Sequence, residues 1–403
     1  MFDAFGVELE YMIVNAETLD VAPVTDRVLH EVAGAYESEI ELGELAWSNE
    51  LALHVIELKT NGPAESLDSL AGHFQSHVGR INELLRPMGA RLMPTAMHPW
   101  MDPDRELKLW PHEYNPIYET YNRIFDCRGH GWSNLQSVHL NLPFADDVEF
   151  GRLHAAIRLL MPILPALFAS SPIADKKVTG FADYRMEVYR SNSRRVPLVA
   201  GTVIPEPVFT KADYEQQIFQ PMYDAIAPHD SHGVLQHEWL NARGAIARFT
   251  RGAIEIRVID IQECPAADIA ILEGVVAVLK ALVEERWISY AAQCTWGEAP
   301  LARIFLDVVR DAERAVVQDT GYLAALGLRA RPIEAGAAWG QLLESVAPEL
   351  TDRAKELLGQ IVSRGTLASR IARAVGPAPD KAAITATYRQ LASCLGENSL
   401  FIA

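Results

Sequence analysis

The segment Phe5-Gly6-Val7-Glu8-Leu9-Glu10-Tyr11 constrains the fold of this chain more than any other. Phe5, Val7, Leu9 and Tyr11 alternate with Gly6, Glu8, Glu10 and Met12, the period-two pattern of a strand with one apolar face. Both carboxylates then project from the same face, about 7 Å apart given the rise of a strand. Like charges so placed repel each other unless a cation lies between them. A solvated acidic edge would also account for an isolated E-x-E, so the rest of the chain has to decide.

Three further segments alternate in the same way or read as strands. Glu50 to Thr60 is one, closed by Asn61-Gly62-Pro63; Ser137 to Leu142 is the second and stops at Pro143; Ile254 to Ile261 is the third and clearest. Helical spacing follows the first of these, with Ser66 as N-cap and Leu67, Leu70, Phe74, Val78, Ile81 and Leu85 on one stripe. Residues 91–96 form a short apolar segment, and the Pro/Trp/His-rich stretch to about Tyr121 reads as an irregular loop. Asp146 or Asp147 caps a helix over Leu153, Ile157, Leu160 and Leu164, residues 170–210 read as long loops, and another helix follows Pro265. From about 297 onward the pattern is helical with no strand of note, and Thr351 suits an N-cap. Strands separated by single helices and long loops predict an α+β protein: residues 1–296 as the catalytic part, with 297–403 as a helical region packed on it.

Each strand brings an ionisable group into an apolar context. Glu255 and Arg257 share one face of the last strand, where a structural ion pair would also explain them. His139 shares a face with Ser137 and Asn141, and a hydrogen-bonded core histidine is its plain reading. Glu57 lies between Ile56 and Leu58; Glu50, an odd number of residues earlier, reaches the same face only from a turn or across a bulge. If the four strands are neighbours in one sheet, Glu8, Glu10, Glu50, Glu57, Glu255 and His139 form one oxygen-rich site with a single nitrogen. Such donors select Mg²⁺ or Mn²⁺ over zinc, and five carboxylates suit two or three ions, as where a nucleoside triphosphate is handled. No glycine-rich phosphate loop of the G-x-x-x-x-G-K-[ST] or G-x-G-x-x-G type occurs, so arginines and metals would hold the nucleotide. Arg185, Arg190, Arg194 and Arg195 crowd one region, and Arg243, Arg248, Arg251 and Arg257 another; a basic loop balancing nearby acids is the alternative.

Composition sets outer limits. A net charge of −17 argues against a nucleic acid or an anionic membrane as partner. Cys127, Cys264, Cys294 and Cys394 show no C-x-x-C spacing, which suits a reducing compartment. No basic, then apolar, leader precedes the first strand, and no uncharged apolar run reaches the ~18 residues of a membrane span. A cytoplasmic protein is expected.

These segments, in this order, resemble the glutamate–cysteine ligase family, in its bacterial carboxylate–amine ligase branch. The resemblance is carried by Gly6-Val7-Glu8-Leu9-Glu10-Tyr11, Glu50 with Ile56-Glu57-Leu58-Lys59-Thr60, His98-Pro99-Trp100 and Val138-His139-Leu140. It continues through Ser170-Ser171-Pro172, Gly180 with Arg185, Trp239 with Arg243, and Ile254-Glu255-Ile256-Arg257-Val258 with Asp260, covering residues 3–290. It implies a glutamine-synthetase-like fold, an antiparallel sheet curved into a partial funnel with helices outside. It also implies transfer of the ATP γ-phosphoryl group to the γ-carboxylate of glutamate, followed by attack of an amine, best known as that of cysteine. Glu8, Glu10, Glu50, Glu57, His139 and Glu255 would then bind Mg²⁺, Arg257 would stabilise the moving phosphoryl group, and Arg185 would hold phosphate or carboxylate. Arg243, Arg190 and Arg194 would contact the nucleotide. Where many relatives carry His-x-His-x-Gly, this chain has Gln136-Ser137-Val138-His139-Leu140-Asn141, and 297–403 holds no motif that names the amine. The same chemistry on another amine or acid, a two-metal phosphoesterase and a non-catalytic scaffold remain as alternatives. The oligomeric state is left open, a homo-oligomer included.

Overall fold

A computed structural model describes residues 1–403. The first strand, β1 (Gly6–Asn15), keeps the period-two alternation: Val7, Leu9, Tyr11 and Ile13 are fully buried on one face. Seven more strands complete the sheet around it: β2 (Glu39–Leu42), β3 (Leu45–Asn49), β4 (Val55–Thr60), β5 (Ala90–Met93), β6 (Ser137–Pro143) and, beyond a two-residue ribbon of β7 (Ile173–Ala174) and β8 (Lys177–Val178), β9 (Ala245–Arg248) and β10 (Ala253–Asp260). The order is β2-β3-β4-β1-β6-β10-β9, every pairing is antiparallel, and β5 adds to the far end of β1.

Register fixes what shares a row. Glu8 stands opposite Lys59 on β4 and His139 on β6, Glu10 opposite Glu57, and Glu255 opposite Asn141. One extra residue is accommodated in β10 between Ile256 and Ile259 as it runs along β6.

The apolar face shares one core with the helices Leu70–Leu85, Asp147–Leu160 and Pro265–Val283. Asp146 is the N-cap of the second, its carboxylate accepting from the amides of Val148 and Glu149. Residues 297–403 are helical apart from a two-residue ribbon of β11 (Val316–Val317) and β12 (Ile333–Glu334), which the sequence pattern did not show. Side chains from Leu301 to Ile361 enter the same core, where Tyr322 Oη donates to the carbonyl of Leu159 and Trp339 Nε1 to that of Ile163. Leu367, Ile371, Ile384 and Tyr388 pack in a second cluster with Met12, Val14 and Trp100. Thr351 caps its helix as expected, accepting from the amide of Ala354. No helix is long and apolar enough to cross a membrane.

Three local readings are corrected. The strand expected over 50–60 begins only at Val55, because residues 50–54 form a turn. The helix expected from Ser66 starts at Leu70, and Ser66 instead accepts the Asp68 amide. The stretch expected to be irregular up to Tyr121 contains the helix Asn115–Phe125, entered through Pro116.

The His98-Pro99-Trp100 segment ties the sheet to its surroundings. His98 is fully buried; its Nε2–H donates to the carbonyl of Leu19 at 2.8 Å, and Nδ1 accepts from the Trp100 amide at 3.2 Å. Burial pushes its pKa down to about 4 from an ordinary 6.5. Since the folded value lies below the unfolded one, the stability that neutral His98 contributes is complete above pH 6.5. It is lost as pH falls through about 4, a loss of about 3 kcal/mol for such a displacement. Chemical denaturation at pH 8 and pH 4 should therefore show a smaller acid loss in His98→Gln than in the unsubstituted protein. Equal losses would show that His98 does not carry the acid sensitivity.

Candidate active site

The polar face of β1 meets those of β4, β6 and β10, and the predicted acids converge there. Glu8 accepts from His139 Nδ1 at 2.7 Å and from Asn141 Nδ2 at 3.2 Å. Glu10, buried, accepts from both the amide (2.6 Å) and the hydroxyl (2.9 Å) of Ser137. Glu57, also buried, accepts from Ser48 Oγ at 2.6 Å and lies 3.2 Å from Lys59 Nζ, which also pairs with Glu39 at 2.7 Å. Glu50 sits in the turn after β3, the placement its odd spacing from Glu57 required. Ligand atoms of Glu8, Glu57 and His139 lie within 4.8 Å of one another, as do those of Glu10, Glu50 and Glu57. Glu57 belongs to both groups.

Electrostatics follow from this crowding. Burial, reinforced by the Glu8 charge, pushes Glu57 up to about 7, and Glu50 is raised by burial and then by Glu10 and Glu57. Burial would also raise Glu8, but the hydrogen bond and charge of His139 prevail and hold it well below its ordinary value. Burial opposes the charge on His139 in turn, yet Glu8 prevails and lifts it to about 9. Both Glu57 and Glu50 are thus held above the ordinary carboxylate range, and a divalent cation beside them would relieve that strain. Four carboxylates with one imidazole make an oxygen-rich donor set that fits Mg²⁺ or Mn²⁺.

Glu255 stands next to this group rather than within it. Its Oε1 is 3.9 Å from His139 Nδ1, while both oxygens are engaged by arginines: Arg257 Nε at 3.0 Å and Arg248 Nη1 at 2.8 Å. Burial is opposed by Arg257 and His139, which lower its pKa. Arg185 is buried behind the site; its Nε–H donates to Asp260 at 2.5 Å and its Nη2 to the carbonyl of Val258. Asp260 in turn accepts from the amide of Ser170 and the hydroxyl of Ser171, which explains the Ser170-Ser171 pair in the sequence.

Arg243, Arg190 and Arg194 are not brought to the site. Arg243 is buried in a two-pronged pair with Glu206 and also donates to Asn241 and the carbonyl of Leu198, so its donors are used. Arg190 pairs with Glu187 on the surface, and Arg194 is exposed.

Two cavities flank the acid row. One, of about 240 Å³, opens at the Glu10–Ser137 end; Arg185 and Arg257 reach it, and Tyr118, Tyr121, Trp132 and Trp239 wall it. The other, of about 360 Å³, opens at the Glu8–Asn141 end between Lys59, Arg251 and the Thr60–Gly62 turn. Sequence reasoning assigned no role to Lys59, Ser137 or the four aromatic residues. Lys59 could have been found from its place two residues beyond Glu57 on the same face.

An antiparallel sheet with an acid-lined polar face, backed by helices, fits a ligase class, and the family comparison places the chain in one. The chain belongs to glutamate-cysteine ligase family 2, whose defining pattern matches residues 4–386. It is 37% identical over 281 residues to an uncharacterized protein of Archaeoglobus fulgidus, covering 70% of this chain and 75% of that one. It is 25% identical over 293 residues to a Bradyrhizobium protein provisionally named glutamate–cysteine ligase 2, covering 71% of this chain but only 62% of that one. Among solved structures, the glutamate–cysteine ligase of Francisella tularensis in complex with AMP superposes with a TM-score of 0.58 at 14% identity, covering 98% and 93% of the two chains. The bifunctional glutathione synthetase of Pasteurella multocida gives 0.57 at 16% identity; this chain spans about half of it, the match covering 98% and 52%. At such identity these two structures speak to the fold alone.

Proposed function

We propose that this protein is an ATP- and Mg²⁺- or Mn²⁺-dependent carboxylate–amine ligase that activates the γ-carboxylate of glutamate, with cysteine as the first amine to test. The observation that carries the reading is the pair of overlapping ligand groups sharing Glu57. Glu8, Glu57 and His139 would hold one ion and Glu10, Glu50 and Glu57 a second, with Glu255 alongside. Bound there, the ions supply charge neutralisation and alignment for a polyphosphate.

The reaction balances as two displacements. A γ-carboxylate oxygen of glutamate attacks the γ-phosphorus of ATP, the bond to the β-phosphate oxygen breaks, and ADP leaves. The amine nitrogen then attacks the acyl carbon, phosphate departs with the former carboxylate oxygen, and one proton is released. Arg257, held by Glu255 and reaching the cavity, offers a planar fork to the moving phosphoryl group. Arg185, fixed by Asp260, presents positive charge to a carboxylate at the cavity wall. Residues 1–296 would carry this chemistry and 297–403 would brace it, and its ATP dependence and unpaired cysteines suit the cytoplasm.

ADP release with Mg-ATP and glutamate, across a panel of amines and with each component omitted in turn, tests the reading. Turnover should require ATP, a divalent cation, glutamate and an amine together. ATP turnover with neither glutamate nor amine would favour a phosphoesterase and sink the ligase assignment.

A further inference from the structure

In-line phosphoryl transfer places the nucleotide on one side of the metal-binding acids and the receiving carboxylate on the other. The two cavities supply those sides. The one beside the Thr60–Gly62 turn carries Lys59 and Arg251 together with the carboxylates of Glu8 and Glu39, a charged lining of the kind a metal-bound polyphosphate meets. The opposite one receives Arg257 and Arg185, enough to anchor a carboxylate, and beyond the acid row its largest side chains are aromatic, set among small and aliphatic ones.

That wall is built as a unit. Tyr121 lies 5.3 Å from the ring of Trp132 and 5.9 Å from that of Trp239, each tilted by about 50°. Trp132 is pinned by donating Nε1–H to the carbonyl of Asn192, and Tyr118 by accepting from Asn49. All four rings line the cavity and are half-buried, with Trp132 stacked on Phe125 and Trp239 on His237. Tyr189, nine-tenths buried on the same cavity, places its hydroxyl beside the Arg257 guanidinium. Glutamate and cysteine have no surface that would cover four ring faces, whereas a flat apolar group would stack on them and displace water.

Resting on the ligase reading above, we infer that the amine joined to glutamate carries an aromatic group, seated against Tyr118, Tyr121, Trp132 and Trp239. The nucleotide then lies on the Lys59 side.

Two assays separate this inference from the reading it rests on. Hydroxylamine with Mg-ATP and glutamate yields glutamyl hydroxamate wherever the carboxylate is activated, whatever the amine pocket prefers. In parallel, 2-phenylethylamine, phenylalanine, cysteine and ethanolamine are compared as acceptors. Hydroxamate should form, and kcat/KM for an aromatic amine should exceed that for cysteine and ethanolamine by about 100-fold, the scale of a well-filled apolar pocket. Trp239→Ala should raise KM for that amine about tenfold more than KM for ATP, with Trp239→Phe restoring most of the loss. Hydroxamate formation with cysteine or ethanolamine preferred overturns the inference alone. So does a Trp239→Ala variant whose KM rises chiefly for ATP, since the wall would then hold adenine. Absence of hydroxamate overturns the ligase reading and the inference together.

Discussion

Glu57→Gln is expected to lower ATP turnover by at least about a thousand-fold, the scale on which charge stabilisation of a transition state operates. Glu57 is the carboxylate common to both ligand groups, so its loss weakens two ion positions at once. The fold should survive: glutamine can still accept from Ser48 Oγ, and Lys59 keeps Glu39 at 2.7 Å. Relief of repulsion with Glu8 should in fact raise the melting temperature in EDTA, by a few degrees for each kcal/mol gained. Addition of Mg²⁺ should then stabilise the unsubstituted protein and leave the variant nearly unchanged. Thermal melts with and without the ion, set beside ADP release, check this. A variant that keeps near-normal turnover would remove the acid cluster from the chemistry.

The second large effect is expected at Arg257→Lys, with kcat reduced by about 100-fold or more and the melting temperature little changed. Lysine keeps the charge but cannot form the planar fork that Arg257 makes. Stability is protected because Glu255 retains Arg248 at 2.8 Å. Glu255→Gln is a less clean variant, since it leaves both arginines beside a buried position without their partner. Steady-state kinetics at saturating ATP distinguish the roles: a melting point that falls with kcat intact would make Arg257 a structural ion-pair residue instead.

The part of the site legible in the sequence is the part that strand geometry dictates. Alternation alone put Glu8 and Glu10 on one face and set Glu57, His139 and Glu255 on faces that could meet them, and pairing in the sheet brought those faces together. The α+β class followed from the order of strands and helices, whereas the antiparallel sheet backed by helices came only from the family resemblance. What failed was information that lives between distant segments. Arg243 and Arg190 stood out as local positive charge, but Glu206 and Glu187 neutralise them, and local density could not show which arginine was already engaged. The aromatic wall escaped because Tyr118 and Tyr121 lie in a Pro/Trp/His-rich stretch that breaks helical periodicity, although a helix forms there. Trp132 and Trp239 join them only through the tertiary fold.

The extra residue in β10 acts as a phase shifter. Glu255 and Asp260 are an odd number of positions apart, so an uninterrupted strand would send them to opposite sides of the sheet. With the irregularity between Ile256 and Ile259, Glu255 faces Asn141 and Asp260 faces Ser137, both on the acid-lined side. One strand can thereby hold Arg257 through its first acid and Arg185 through its last, on the same floor. Removing a single residue there would turn Asp260 into the apolar layer and leave the Arg185 guanidinium without its carboxylate. Strand length at this point, as much as residue identity, sets the positive charge of the site.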